Sequence, residues 1–230
     1  MKSNCHADGP FQTVETTTVQ AGETIGLLGI PPEAHGLVLF AHGSGSGRFS
    51  PRNTHVAHAL HRAGLATLLV DLLRDNEDQD RRKVFDIPLL AARLAGAAQW
   101  ARHAAHLAAL PICYFGASTG AAAALLAAST DTARIAAIVS RGGRPDLAGA
   151  TALARVRAPT LLIVGGRDDD VLALNRAALG AMRCERNLVI VPGATHLFEE
   201  PGTLDQVVDH ATRWFLAHVR QPPRSAPAPG

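Results

Sequence analysis

Short continuous apolar runs recur along the chain, and longer stretches with helical spacing separate them. The runs are "LVLFAH" (37–42), "ATLLVDL" (66–72), "PICYFG" (111–116), "IAAIVS" (135–140), "TLLIVGG" (160–166) and "NLVIVPG" (187–193). Runs that are apolar on both faces suit strands of a parallel sheet covered by helices on each side. The chain opens differently. "TVETTTVQ" (13–20) alternates and is rich in β-branched residues, and "ETIGLLGIP" (23–31) follows the turn signal Ala21-Gly22, so an antiparallel hairpin is expected there.

The intervening segments carry helix signals of their own. A helix near Asn53 to Ala63 begins after a Ser-Pro. A second has Asp86 as N-cap and Pro88 in its first turn, where a missing N–H costs nothing, and then sets Leu90, Leu94, Ala97 and Ala101 on one stripe. A third starts at Thr203 with Gln206 three residues on, the spacing of a capping box, and presents Leu204, Val207, Val208, Ala211 and Phe215 to a core. A hairpin followed by alternating strands and helices predicts a doubly wound α/β domain with a mostly parallel sheet of about eight strands. Residues 1–10 and the Pro- and Ala-rich tail 220–230 are expected to lie outside a single domain covering 11–219.

Composition narrows the function. With 47% apolar and 18% charged residues the chain can bury a large core, and its formal net charge of +2 is too small to make nucleic acid or an anionic membrane the expected partner. Cys5, Cys113 and Cys184 form neither a disulfide framework nor a CxxC metal site, so no metal or cofactor is expected. The N-terminus lacks the apolar core of a signal peptide, and no apolar stretch approaches the ~20 residues that span a bilayer. The expectation is a cytoplasmic protein.

The chemistry-bearing pattern is Gly116-Ala117-Ser118-Thr119-Gly120, between an apolar run and "AAAALLAA". A sharp strand-to-helix turn there would force the serine into a strained backbone conformation and lift its Oγ above the sheet, with glycines where neighbouring backbone passes close. Two further runs end in candidate partners: "IVGGRDDD" reaches Asp168, Asp169 and Asp170, and "VPGATHLF" reaches His196. Nucleophile, acid and histidine each fall just past the C-terminal end of an expected strand, the edge where open parallel sheets keep their sites. Asp168 is the expected acid, with Asp170 as the alternative. The loop "AHGSGSGR" (41–48) lacks the lysine and spacing of a phosphate loop, so its backbone is assigned to an oxyanion hole formed by the N–H groups of Ser44 and Thr119. Arg48 and Arg141, next to strand ends at the same edge, are candidates to hold a substrate carboxylate.

The segments "FAHGSGSGRFSPRN", "FGASTGAAAAL", "VGGRD" and "GATHLFEEPG" resemble the α/β-hydrolase superfamily, and within it the dienelactone-hydrolase-like group, over roughly residues 12–218. "VFDIPLLAARL", after the acidic stretch "RDNEDQDRR", resembles members of the same group. The resemblance implies a hydrolase with Ser118 as nucleophile, Asp168 as acid and His196 as base. Dienelactone hydrolases proper use a cysteine where this chain has Ser118. The expected reaction is therefore cleavage of a small-molecule ester through an acyl-enzyme. The alternatives are thioesterase, amidase or acyltransferase chemistry at the same triad, or ligand binding without catalysis. Only about 20 residues separate Ser140 from Thr160, too few for a large lid domain.

Overall fold

The computed structural model describes residues 14–130 and 135–219. The two end segments expected outside the domain, residues 1–10 and 220–230, lie outside the described residues. The opening hairpin consists of β1 (Thr16–Ala21) and β2 (Thr24–Gly29), joined by the two residues Gly22-Glu23 with Gly22 at φ 64°. The apolar runs become β3 (Leu37–Ala41), β4 (Ala66–Val70), β5 (Ile112–Ala117), β6 (Ala137–Arg141), β7 (Thr160–Gly165) and β8 (Arg186–Val191). They form one eight-stranded sheet in the order β1-β2-β4-β3-β5-β6-β7-β8. Every pairing from β4 to β8 is parallel, and only β1–β2 and β2–β4 are antiparallel.

The helices alternate with these strands. They are α1 (Pro51–Arg62), α2 (Arg81–Val84), α3 (Ile87–His103), α4 (Thr119–Thr130), α5 (Ala150–Arg155), α6 (Asp169–Ala181) and α7 (Thr203–Val219). Their boundaries follow local chemistry. Asp86 accepts from Leu89 N at the start of α3, and Ser50 caps α1 by accepting from Asn53 N. At α7 the structure differs from the expected capping box. Thr203 Oγ1 donates to Glu200 O, and both Gln206 N and Gln206 Nε2 donate to Gly202 O. The glycine carbonyl closes the first turn, so the threonine hydroxyl is left to fasten the preceding loop.

Apolar side chains on both faces of the sheet explain why its central strands read as unbroken runs. Leu37, Leu39, Leu68, Tyr114 and Ile138 face the layer that holds α3 and α4. Val38, Phe40, Phe115, Val139 and Ile163 face α1 and α7. Phe40 and Phe115 stack across neighbouring strands with ring centroids 4.8 Å apart. No helix among the described residues is long and apolar enough to cross a membrane.

Two glycines show opposite constraints. A Cβ at Gly120 would lie 2.1 Å from Ala41 O and 2.5 Å from His42 O, both fixed backbone, whereas a Cβ at Gly96 within α3 meets nothing within 4 Å. We expect Gly120→Ala to destabilise by at least about 3 kcal/mol, because α4 must move off β3. Gly96→Ala should instead stabilise by about 0.5–1 kcal/mol through helix propensity. Urea midpoints of the two variants should move in opposite directions, and a Gly120→Ala protein with the wild-type midpoint would contradict this packing.

Candidate active site

Ser118 lies between β5 and α4 with φ 50°, one of three non-glycine residues at positive φ among those described. That left-handed backbone costs a serine energy, so the surroundings must hold it. Ser118 N donates to Arg141 O, while Ser118 O accepts from Ala121 N and Arg144 N. Small residues make the turn fit. A Cβ at Gly116 would lie 2.4 Å from Ala121 Cα, and one at Gly43 would lie 2.9 Å from Ser118 Cβ. The loop after β3 therefore packs directly on the serine.

Asp168 and His196 come from the loops after β7 and β8. His196 Nδ1 donates to Asp168 Oδ2 at 2.7 Å, and the aspartate side chain is the more enclosed of the two. Asp168 occupies the N-cap position of α6, yet its side chain caps nothing, because the imidazole takes the carboxylate instead. Asp170 lies two residues further on, in the exposed first turn of α6, and makes no bond to the imidazole. The histidine loop is fastened on both sides. Arg167 N donates to Ala194 O, Gly166 N to Val191 O, and Thr195 N to a carboxylate oxygen of Glu200. A Cβ at Gly165 would lie 2.4 Å from Ala194 O, so a glycine lets the two loops close.

Ser118 and His196 flank the same turn, Arg141-Gly142. Ser118 N bonds Arg141 O, and a Cβ on Gly142 would lie 3.6 Å from His196 Cε1. Among the described residues no hydrogen bond joins Ser118 Oγ to His196. Thr119 is the first residue of α4, where a backbone N–H has no intrahelical acceptor. Ser44 and Thr119 both line a cleft of about 530 Å³ beside the serine, together with Gly43, Phe49, Arg52, Leu73, Asp78 and Val84 among others.

The sequence did not reveal how this cleft is walled. His42 is buried with Nε2 accepting from Leu72 N at 3.0 Å and Nδ1 donating to Gly43 O at 3.0 Å, the pattern of a neutral ring. Burial holds its pKa below the ordinary histidine value. His42 thus ties the loop beside Ser118 to the segment after β4. That segment is anchored by Glu77, which is 7% exposed and pairs with Arg93 of α3 (Arg93 Nη2 to Glu77 Oε1, 3.1 Å) and with Lys83 Nζ at 3.0 Å. Arg93 Nη1 also donates to Leu72 O at 2.8 Å. The acidic stretch that looks like a solvated loop therefore conceals one buried ion pair.

The two arginine candidates part company. Arg48 is consumed locally: its backbone N donates to Asp71 Oδ1 at 2.6 Å, its guanidinium pairs with Asp71 Oδ2, and its charge stacks over Phe49. It fastens the glycine-rich loop rather than standing open to a ligand. Arg141 is 7% exposed, and its Nη1 is enclosed without a hydrogen-bond partner.

A strained serine between strand and helix, an aspartate–histidine pair from the last two strand ends, and a sheet of this order define the α/β-hydrolase class of folds. The chain belongs to the α/β-hydrolase family, whose domain model matches residues 34–219, and it is dienelactone-hydrolase-like. A dienelactone hydrolase from Anabaena variabilis is 51% identical with a TM-score of 0.87, over 91% of this chain and 100% of that one. Est1E from Butyrivibrio proteoclasticus shares the fold at 15% identity and a TM-score of 0.76, over 90% of this chain and 99% of that one. Among curated proteins, a Mycobacterium tuberculosis protein provisionally named a phosphoribosyl transferase is 52% identical over 217 residues, 94% of this chain and 49% of its own length. The chain spans about half the length of the curated relatives it matches.

Removing the charge of Glu77 leaves Arg93 buried without a counter-ion. We expect Glu77→Gln to cost about 3–5 kcal/mol and to raise KM by loosening the wall that carries Leu73, Asp78 and Val84. The Arg93 guanidinium, first among its neighbours, holds the Glu77 carboxyl well below the usual carboxylate range. The folded pKa is depressed, so this stability is present above about pH 4.3 and is lost as pH falls below it. Acid unfolding followed by circular dichroism should show a shallower pH slope in Glu77→Gln, and an unchanged slope would contradict the assignment.

Proposed function

We propose that the protein is a serine hydrolase that cleaves an ester through Ser118, His196 and Asp168. The observation that carries this reading is the 2.7 Å bond between His196 Nδ1 and Asp168 Oδ2 at the sheet edge where Ser118 sits at positive φ. The bond fixes the tautomer, leaving Nε2 with a lone pair to accept a proton.

In the proposed reaction His196 Nε2 takes the Ser118 Oγ proton as the oxygen attacks the carbonyl carbon. The N–H groups of Ser44 and Thr119 stabilise the resulting oxyanion, an effect of about 3 kcal/mol per donor in comparable sites. The imidazolium gives its proton to the leaving alcohol, and an acyl group remains on Ser118. Water, deprotonated by His196, then attacks the acyl-enzyme and releases the acid and the serine. Asp168 stabilises the imidazolium in both halves without taking its proton.

The same groups would serve a thioester, an amide or transfer to another acceptor, and a panel of matched substrates separates these. Phosphoribosyl transfer is said of a relative about twice as long, and no observation in this half favours it over acyl chemistry. The reading includes a small-molecule substrate and a cytoplasmic setting, in keeping with the free thiols of Cys113 and Cys184.

A fluorophosphonate probe tests the proposal directly. Peptide mass mapping should find the adduct on Ser118 in the wild type and none in Ser118→Ala, with labelling strongly slowed in His196→Ala. Asp168→Asn should lower kcat by about 10⁴-fold while Asp170→Asn stays within about twofold, because only the former sets the tautomer. A folded wild-type protein that takes no label, or takes it elsewhere, would overturn the reading.

A further inference from the structure

Asn175 carries a fully buried amide on α6, and packing does not account for it. The residue is 0% exposed. Its Nδ2 donates to Val171 O, one turn back in the same helix, at 2.7 Å, and to Gly143 O, 32 residues away in sequence, at 2.9 Å. Its Oδ1 is enclosed with no hydrogen-bond partner. Turning the amide over would set that oxygen against two carbonyl oxygens, so the two acceptors fix which end faces Gly143. A leucine of similar size would fill the site without burying an unmatched acceptor. The polar side chain is therefore explained by what its long-range bond holds rather than by the core around it.

What it holds is the turn from Arg141 to Arg144, which lies between Ser118 and His196. Arg141 O accepts from Ser118 N at 3.3 Å, and Arg144 N donates to Ser118 O at 3.1 Å. On the other side, a Cβ at Gly142 would lie 3.0 Å from His196 O and 3.6 Å from His196 Cε1. The turn thus bonds the backbone of the serine and packs against the histidine. Gly142 and Gly143 bring no side chains to fasten it, and the bond from Asn175 Nδ2 pins its middle from α6. That helix begins at Asp168, its N-cap residue, and Asn175, about two turns on, lies on the same side of it. One helix therefore carries the carboxylate that orients the imidazole and the amide that fixes the turn between imidazole and hydroxyl.

We propose that Asn175 is a positioning residue: through Gly143 O it sets the spacing between Ser118 and His196, on which proton transfer between Oγ and Nε2 depends. The inference rests on the reading of Ser118, His196 and Asp168 as a triad. Asn175 acts through the turn and not on a substrate. The cleft beside Ser118 is lined from the Gly43 loop, α1, α3, α4 and the segment after β4, and not from α6. Loosening the turn should therefore spare substrate binding and slow the chemistry, where a misplacement of about 1 Å costs about 10²-fold in rate.

Asn175→Leu keeps the shape and removes the donor. With p-nitrophenyl acetate its kcat should fall about 10- to 100-fold while KM stays within about threefold, and the rate of fluorophosphonate labelling at Ser118 should fall with kcat. Amide hydrogen exchange reads the turn without turnover. The N–H groups of Ser118, Gly142 and Arg144 should exchange at least about 10-fold faster than in the wild type, while those of β3 and β4 keep their rates. Where Asn175→Leu does not fold, Asn175→Ser, which fits within the same volume and is too short to reach Gly143 O, is read in the same way. A kcat within about twofold of the wild type, a loss carried by KM alone, or exchange that rises equally through β3 and β4 would overturn the proposal, since each is what an amide serving stability alone would give. If the wild type takes no fluorophosphonate, faster exchange confined to the turn retains the tie and rejects only the hydrolase reading, whereas unchanged exchange rejects the tie itself.

Discussion

The left-handed turn at Ser118 is the constraint around which the rest is arranged. A serine at φ 50° stores about 1–3 kcal/mol, and it stays there only because neighbouring elements over-determine it. Three backbone bonds, to Arg141, Ala121 and Arg144, tie it to the next strand and to its own helix. Gly116 and Gly120 let the helix and β3 close to distances no side chain would permit. The same closeness brings the Gly43 loop against the serine, so the loop proposed to bind the oxyanion is positioned by the strain that raises the hydroxyl.

The periphery repeats this economy. Ala194, Thr195 and Gly165 interlock so that the loops carrying Asp168 and His196 pack directly on each other. His42, neutral and buried, joins the loop beside the serine to Leu72, and Arg93 joins Leu72 to Glu77. A path of buried hydrogen bonds therefore runs from the loop next to Ser118 to the cleft wall. The side chains of His42, Arg93 and Glu77 are its links, and the backbone groups of Leu72 that they meet would be unsatisfied if a link were cut.

Much of this was legible in the residues. Six strands, β3 to β8, follow the apolar runs to within a few positions, the central ones because burial on both faces leaves a continuous signal, and β1 and β2 follow the alternation around Ala21-Gly22. The order of the strands was not legible: β3 sits between β4 and β5, a crossover that hydrophobicity alone does not encode. Glycine spacing flagged Ser118, and position past a strand end flagged Asp168 and His196. Asp168, expected over Asp170 as the first acid past Gly165-Gly166, is the aspartate that bonds the His196 ring. Local rules failed where tertiary partners intervened. Thr203 reads as a cap but bonds Glu200 O, and Arg48 reads as a ligand for anions but bonds Asp71, 23 residues away. The cleft wall around Glu77 was missed because a buried acid within a polar run looks, in sequence, like its solvated neighbours.

β8 is one of the two border strands of the sheet, paired only with β7 and largely open to water along its length. The imidazole at 196 hangs from that border, whereas the hydroxyl at 118 hangs from the middle of the sheet. Border strands open at lower free energy than central ones. On the proposed triad, warming should thus displace His196 through fraying at one margin while the interior around Ser118 is still intact, so that loss of activity runs ahead of the cooperative melt.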